Sequence, residues 1–409
     1  MVENKYTPEI RFSGFTGDWE QSKLGDCVNY IKGYAFKSED YRSEGIRIVR
    51  VSDLSSNEIK MSNGKFYLDE KYEKEFKKYK LNIGDIIITT VGSKAEMKDS
   101  AVGRPIIVSK EDEGLLNQNL VKVHQINGYN SYFIYVNLLR ENYTNYIATI
   151  ERGNANQANI AINDLWEYTI YLASNEEQQK IGDFFKQLDD TISSHQQELT
   201  TLKQTKQGFL QKMFPKEGES VSEVRFPGFT GDWEQRKLGE VAKFINGRAY
   251  KQHELLNSGK YKVLRVGNFY TNNSWYYSDL ELGEKYYAEK GDLLYTWSAT
   301  FGPHIWYGDK VIYHYHIWKV DLSDNLDKQF TIQLLEYDKA KILSDKNGST
   351  MVHVTKNGME EKKVLLPSIA EQFKIGNFFK HLDDTIDLHQ RELDSLKETK
   401  KAFLQKMFA

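Results

Sequence analysis

EQQKIGDFFKQLDDTISSHQQELTTLKQTKQGFLQKMF, residues 177–214, returns at 371–408 as EQFKIGNFFKHLDDTIDLHQRELDSLKETKKAFLQKMF, with 27 of 38 positions identical. In the first copy Ile181, Phe185, Leu188, Ile192, His195, Leu199, Leu202, Lys206, Phe209 and Met213 are spaced by alternating steps of four and three. Ile375, Phe379, Leu382, Ile386, His389, Leu393, Leu396, Lys400, Phe403 and Met407 repeat that register without slip. Such spacing marks the seam of a helical pair rather than the face of an isolated surface helix. Ser174 with Glu177, and Ser368 with Glu371, have the spacing of a capping box and mark both starts. Pro215 and Gly218 stop the first helix.

A shorter segment is also duplicated. RFSGFTGDWEQSKLGD at 11–26 returns as RFPGFTGDWEQRKLGE at 225–240, with 13 of 16 positions identical. The stretches in between agree only in outline, so a common frame brackets two different middles. Short β-rich runs punctuated by Gly, Asn and Asp can still be matched there. IRIVRVSDL (46–54) pairs with YKVLRVGNF (261–269), GDIIITTVGS (84–93) with GDLLYTWSAT (291–300), and NQNLVKV (117–123) with HYHIWKV (314–320).

The expected fold is α+β: two mixed α/β domains with mainly β cores, joined by a pair of long antiparallel coiled-coil helices as a pseudo-two-fold internal repeat. The expected segments are 1–174, a central helix 175–216, a second domain 217–367 and a C-terminal helix 368–409. The short 215–224 connection favours the antiparallel pairing, which puts the domains at opposite ends of a shaft roughly 55 Å long. That length spans on the order of one to one and a half turns of duplex DNA.

Composition narrows the function classes. Net charge is −3 and the charges nearly balance within each half, so any nucleic-acid face must arise from local segregation of basic residues. The one cysteine, Cys27, excludes an internal disulfide and a multi-cysteine metal site, and reads as a small buried apolar residue. No run of eighteen apolar residues occurs and MVENKYTPEI lacks a signal-peptide core, which sets the expectation of a soluble, cytoplasmic protein. There is no phosphate loop of the G-x-x-x-x-G-K-[ST] type, no Asn-Pro-Pro-aromatic segment and no glycine-rich cofactor loop after a strand.

On GFTGDWEQ with KLG, the GD-plus-strand motif at Gly84 and Gly291, LLPS at 365–368, and EQ-x-KI leading into FLQKMF, the whole chain resembles the specificity subunit of type I restriction and modification systems. Ala173 departs from the pattern where the second half has Pro367, which suggests a slightly looser start to the first helix. The resemblance implies a non-catalytic chain with two target-recognition domains, each reading half of a bipartite site in double-stranded DNA. The helices would set the spacer and dock two methyltransferase subunits, and the assembly would recruit two restriction (motor-nuclease) subunits. No cofactor is expected on this chain; S-adenosylmethionine, ATP and Mg belong to those partners. A self-sufficient DNA endonuclease and a coiled-coil adaptor for proteins are the rival readings.

Candidate DNA contacts are the polar and basic residues of the matched loops. In the first domain these are Lys37, Arg50, Ser52, Thr90, Ser93, Lys94, Asn117, Asn119 and Asn156. In the second they are Arg248, Lys251, Arg265, Asn268, Thr296, Ser298, His314 and His316. Arg, Asn and Ser suit base edges, while Lys more often holds phosphates. His304, His314 and His316 are read as loop or strand histidines rather than metal ligands, and no catalytic residue is assigned. Asp189–Asp190 and Asp383–Asp384 are consecutive on a helix, point about 100° apart, and cannot converge on one proton; a solvated face or a partner contact is expected. EKYEKEFKKYK at 70–80 alternates charge like an exposed helix face. His195 and His389 in the seam are expected to fix register.

Overall fold

The computed structural model describes residues 6–55, 58–60, 66–95, 101–111, 113–154, 157–270, 272–298, 300–344 and 354–408. The chain falls into two compact units, residues 1–196 with 392–409, and residues 197–391. The two duplicated segments form helices Asn175–Lys212 and Ile369–Lys406, each of 38 residues. All twenty seam positions are buried or half-buried, as the alternating four-three spacing requires.

Within the first unit the two helices run antiparallel. Phe184 packs edge-on against Phe403 at 4.9 Å, Asp189 pairs with Lys400 at 2.5 Å and His195 faces Glu392 at 3.7 Å, so numbers rise on one helix as they fall on the other. The second unit has the same order. Glu198 faces His389 at 3.5 Å, Lys206 pairs with Asp383 at 2.5 Å, and Phe209 packs on Phe378 at 5.0 Å. Asp189 and Asp383 are therefore cross-helix partners of the seam lysines. Tyr132 Oη also donates to Asp189 at 2.7 Å, and the Gln333 amide donates to Asp383 at 3.2 Å. Asp190 and Asp384 keep to the solvent side in i,i+4 pairs with Lys186 and Lys380.

The two repeated motifs meet in the folded chain. Arg11 of the first GFTGDWE segment donates from Nε and Nη2 to both carboxylate oxygens of Glu177, at 2.8 and 2.7 Å, and Trp19 Nε1 donates to the same carboxylate at 3.2 Å. Arg225 binds Glu371 in the same fork, at 2.8 and 2.6 Å. The expected capping box is thus half realised: Ser174 Oγ and Ser368 Oγ accept from the Glu177 and Glu371 N–H groups, while the carboxylates turn to arginine instead of reaching back. The neighbouring glutamines close both helix starts alike, Gln178 donating to the Ala173 carbonyl and Gln372 to that of Pro367. The expected loosening at Ala173 is therefore absent.

Each helix finishes inside a core. Met407 and Phe408 sit in the first unit's main core with Trp19, Phe133 and Phe185, and Met213 and Phe214 sit in that of the second with Trp233 and Phe330. Gly182 and Gly376 allow the close approach of helices Ser131–Asn137 and Lys328–Ser344: a Cβ on Gly182 would lie 2.1 Å from Asn130 Oδ1, and one on Gly376 would lie 2.6 Å from the Phe330 nitrogen.

Each unit carries a four-stranded antiparallel sheet of one order. In the first it runs Val28–Lys32, Leu120–Gln125, Ile86–Thr89, Pro105–Ile107; in the second Ala242–Asn246, Ile317–Leu322, Leu293–Thr296, Gly302–Ile305. A second sheet, three-stranded in the first unit and four-stranded in the second, contains Ile46–Val49 or Tyr261–Leu264, each paired antiparallel on one side and parallel to Leu115–Leu116 or Val311–Tyr313 on the other. Residues 70–80 depart from the expected helix. They form two 3-10 turns, Glu70–Tyr72 and Lys77–Tyr79. Tyr72, Phe76 and Tyr79 fold down onto Phe36, and that aromatic packing outweighs the helix-favouring charge pattern.

Candidate nucleic-acid interface

In the first unit four loop segments are tied into one cluster by backbone hydrogen bonds. The turn Asn117–Gln118–Asn119 links Leu115–Leu116 to Leu120–Gln125. Its Asn117 N–H donates to Val49 O at 3.0 Å, Gln118 N–H to Tyr34 O at 2.9 Å, and Asn119 O accepts from Thr90 N–H at 2.8 Å. Asn119 has a φ of 68°, a left-handed conformation that asparagine tolerates better than most side chains. The second unit builds the same cluster from different residues. His314 N–H donates to Leu264 O at 2.9 Å, Tyr315 N–H to Arg248 O at 3.0 Å, and His316 O accepts from Trp297 N–H at 3.2 Å.

Glycine makes the approach possible in both. A Cβ on Gly33 would sit 1.8 Å from the Asn117 carbonyl oxygen, and one on Gly247 would sit 2.3 Å from that of His314. The backbone is thus fixed while the tip side chains change from Asn-Gln-Asn to His-Tyr-His. Gln118, exposed, and Tyr315, 40% exposed, occupy the turn tips, flanked by exposed Tyr34 and by Trp297. Sequence reading chose their neighbours and passed over both. The aligned triplets 117–119 and 314–316, each preceding the strand run L/I-x-K-V, held the signal.

The chosen residues fall into distinct settings. Lys37 is exposed beside Glu39, Ser52 and Asn119 are exposed, and Thr90, Ser93, Lys94 and Ser298 are half-buried. Asn117 is only 7% exposed and its Oδ1 accepts from the Gln118 N–H at 2.7 Å, so it shapes the turn. Thr296 is fully buried, its hydroxyl donating to Gly302 O at 3.3 Å. Asn156 lies outside the described residues. Arg248 forks onto Glu254 at 2.7 and 3.1 Å, which raises the guanidinium pKa and holds the Glu254 carboxyl down to about 2. Lys251 is exposed and starts the 3-10 turn that carries Glu254. Arg50 pairs with Asp53 at 3.3 Å and lies 4.0 Å above the Phe66 ring; Arg265 lies 4.3 Å above the Tyr276 ring with Asn268 in the matching position.

Three histidines of the second unit, His304, His314 and His316, are held neutral. Burial first, then the charge of Lys339, pushes His304 down to about 4, where its ring stacks on Phe269 at 4.2 Å. His314 is likewise pushed down to about 4, by burial first, then by His316 and the Arg265 charge, and burial lowers His316. Neutral imidazoles at the tip can accept as well as donate, which suits base edges. Because these folded values lie below the ordinary 6.5, the unfolded chain takes up the protons first as pH falls. The second unit should therefore keep its full stability above about pH 6.5 and lose on the order of 2 kcal/mol as pH falls toward 4. Urea unfolding followed by tryptophan fluorescence, with five of the seven tryptophans in this unit, should show the loss; His304→Phe should reduce it, leaving the part due to His314 and His316. A pH-independent transition between 6.5 and 4 would contradict the assignment.

No helix among the described residues is long and apolar enough to cross a membrane. The type I restriction modification DNA specificity domain matches this chain twice, over residues 16–204 and 230–398. Two relatives from Methanocaldococcus jannaschii, the type I restriction enzyme MjaX and MjaVIII specificity subunits, are 24% and 23% identical, covering 95% of this chain and 92% and 91% of their own lengths. The crystal structure of the type I restriction-modification S subunit from M. genitalium superimposes with a TM-score of 0.65 at 16% identity, covering 98% of this chain and 99% of that one, which shows a shared fold. A chain from a study of complex assembly and conformational transition of the type I system superimposes with a TM-score of 0.51 over 95% of this chain and 97% of that one, at 16% identity. The doubled frame, the doubled turn cluster and the doubled domain match agree, and the chain belongs to the family of type I restriction modification DNA specificity domains.

Proposed function

We propose that this chain is the specificity subunit of a type I restriction and modification complex and reads a bipartite site in double-stranded DNA, one half with each unit. The observation that carries this reading is the four-segment turn cluster, built twice on one backbone pattern with different side chains at its tips. A constant frame with variable tips is what reading two unrelated half-sites demands. The two continuous helices supply a length element between half-sites, at about 1.5 Å per residue. Two methyltransferase and two motor-nuclease subunits bring S-adenosylmethionine, ATP, Mg and the chemistry, while this chain brings sequence choice.

Mapping methylated adenines across the genome, with and without the gene, tests this directly. The expected result is a set of sites with two short defined halves and a fixed undefined spacer, all lost on deletion. Unchanged methylation, or one contiguous motif, would contradict it. A heptad inserted at matched positions of both helices should lengthen the spacer or abolish recognition, and an unaltered site would remove the helices from any role in spacing.

A further inference from the structure

The two units build the same arginine platform with opposite charge compensation. In the first, the Arg50 N–H donates to Asp53 Oδ2 at 2.9 Å, opening the 3-10 turn Val51–Asp53, and the Arg50 guanidinium folds back onto that carboxylate. In the second, the Arg265 N–H donates to Asn268 Oδ1 at 3.0 Å, opening the turn Val266–Phe269. Asp53 and Asn268 thus do the same geometric work. The difference lies in charge: Asp53 neutralises its arginine, whereas the Asn268 amide turns to the carbonyls of Asn272 and Ser274. Both guanidiniums lie over a ring, 4.0 Å from the Phe66 centroid or 4.3 Å from that of Tyr276, and this contact helps to hold the fork in place in each.

Among the described residues no carboxylate pairs with Arg265. Its Nη2 donates to the Ser274 carbonyl at 3.0 Å, and its Nε is buried without a hydrogen bond. A half-buried cation fixed beside the tip turn, with its neighbour Leu264 accepting from the His314 N–H, calls for an external anion. With Nε enclosed and Nη2 engaged, the remaining Nη1 edge suits one phosphate oxygen better than the bidentate edge of guanine.

We propose that Arg265, and not its counterpart Arg50, clamps a backbone phosphate of the DNA at the second half-site, the Asp53-to-Asn268 difference setting which arginine is available. This rests on the DNA-reading function proposed above. The test uses the full chain with its methyltransferase subunits and a duplex carrying the mapped site, with affinity measured across a range of KCl. Arg265→Ala should weaken binding by about tenfold and reduce the salt slope by about one, alike for cognate and base-substituted duplexes. Asn268→Asp should reproduce that loss of slope with the stack on Tyr276 intact, Arg265→Lys should keep the slope, and Arg50→Ala should leave it unchanged. A wild-type complex that does not bind the duplex would sink the DNA-reading function itself. Binding with a slope unaltered by Arg265→Ala would overturn the phosphate clamp alone, as would a loss confined to one base pair, which would make Arg265 a base reader.

Discussion

Glu371→Ala is expected to destabilise the second unit by about 3–5 kcal/mol, because it strands the Arg225 guanidinium in a site only 16% exposed. The carboxylate is itself 2% exposed and accepts both arms of the arginine fork, so water replaces neither partner well. Replacing both residues, Arg225→Met with Glu371→Met, should cost much less, since no buried charge is left unpaired. Chemical denaturation of the two variants measures this. Equal losses for single and double variants would show that the pair contributes by shape and not by charge. Glu177→Ala should act likewise on the first unit, where Trp19 would lose a hydrogen-bond acceptor too.

Phe408→Ala should cost the first unit about 3–5 kcal/mol, the usual range for deleting a buried phenylalanine. Its ring is fully buried and lies 5.7 Å from Trp19, 5.5 Å from Phe133 and 5.9 Å from Phe185. Phe214→Ala should do the same to the second unit, where the ring stacks on Phe330 and Tyr337. Amide exchange resolved by segment should place the first loss in residues 6–196 and 392–408 and the second in 197–391. An effect confined to the final helix turn would mean that the repeated KMF ending is not part of either core.

The frame was legible in the sequence because its signals are local and doubled. Seam spacing needs no knowledge of distant residues, and Ile181 and Ile375 occupy the positions that the four-three pattern assigns. What escaped was set by contacts across long stretches of chain. Arg11 and Glu177 stand 166 residues apart, so the glutamate read as a helix cap when it is an ion-pair partner. Residues 70–80 looked helical from their charges, but three aromatic rings found a hydrophobic surface that only the tertiary fold creates. Polar type alone also could not separate Thr296, sealed at a strand end, from Gln118, exposed at a turn tip. That distinction depends on whether the fold seals a residue in a strand or leaves it at a turn tip, which composition does not encode.

The central claim, that each unit reads its own half of the site through its own turn, is tested most directly at the two tips. Complexes carrying Gln118→Ala or Tyr315→Ala, profiled by genome-wide adenine methylation, should each relax recognition in one half-site, a different one for each variant, with the spacer unchanged. If both substitutions altered the same half, or if neither altered either, the division of reading between the two turns would be wrong.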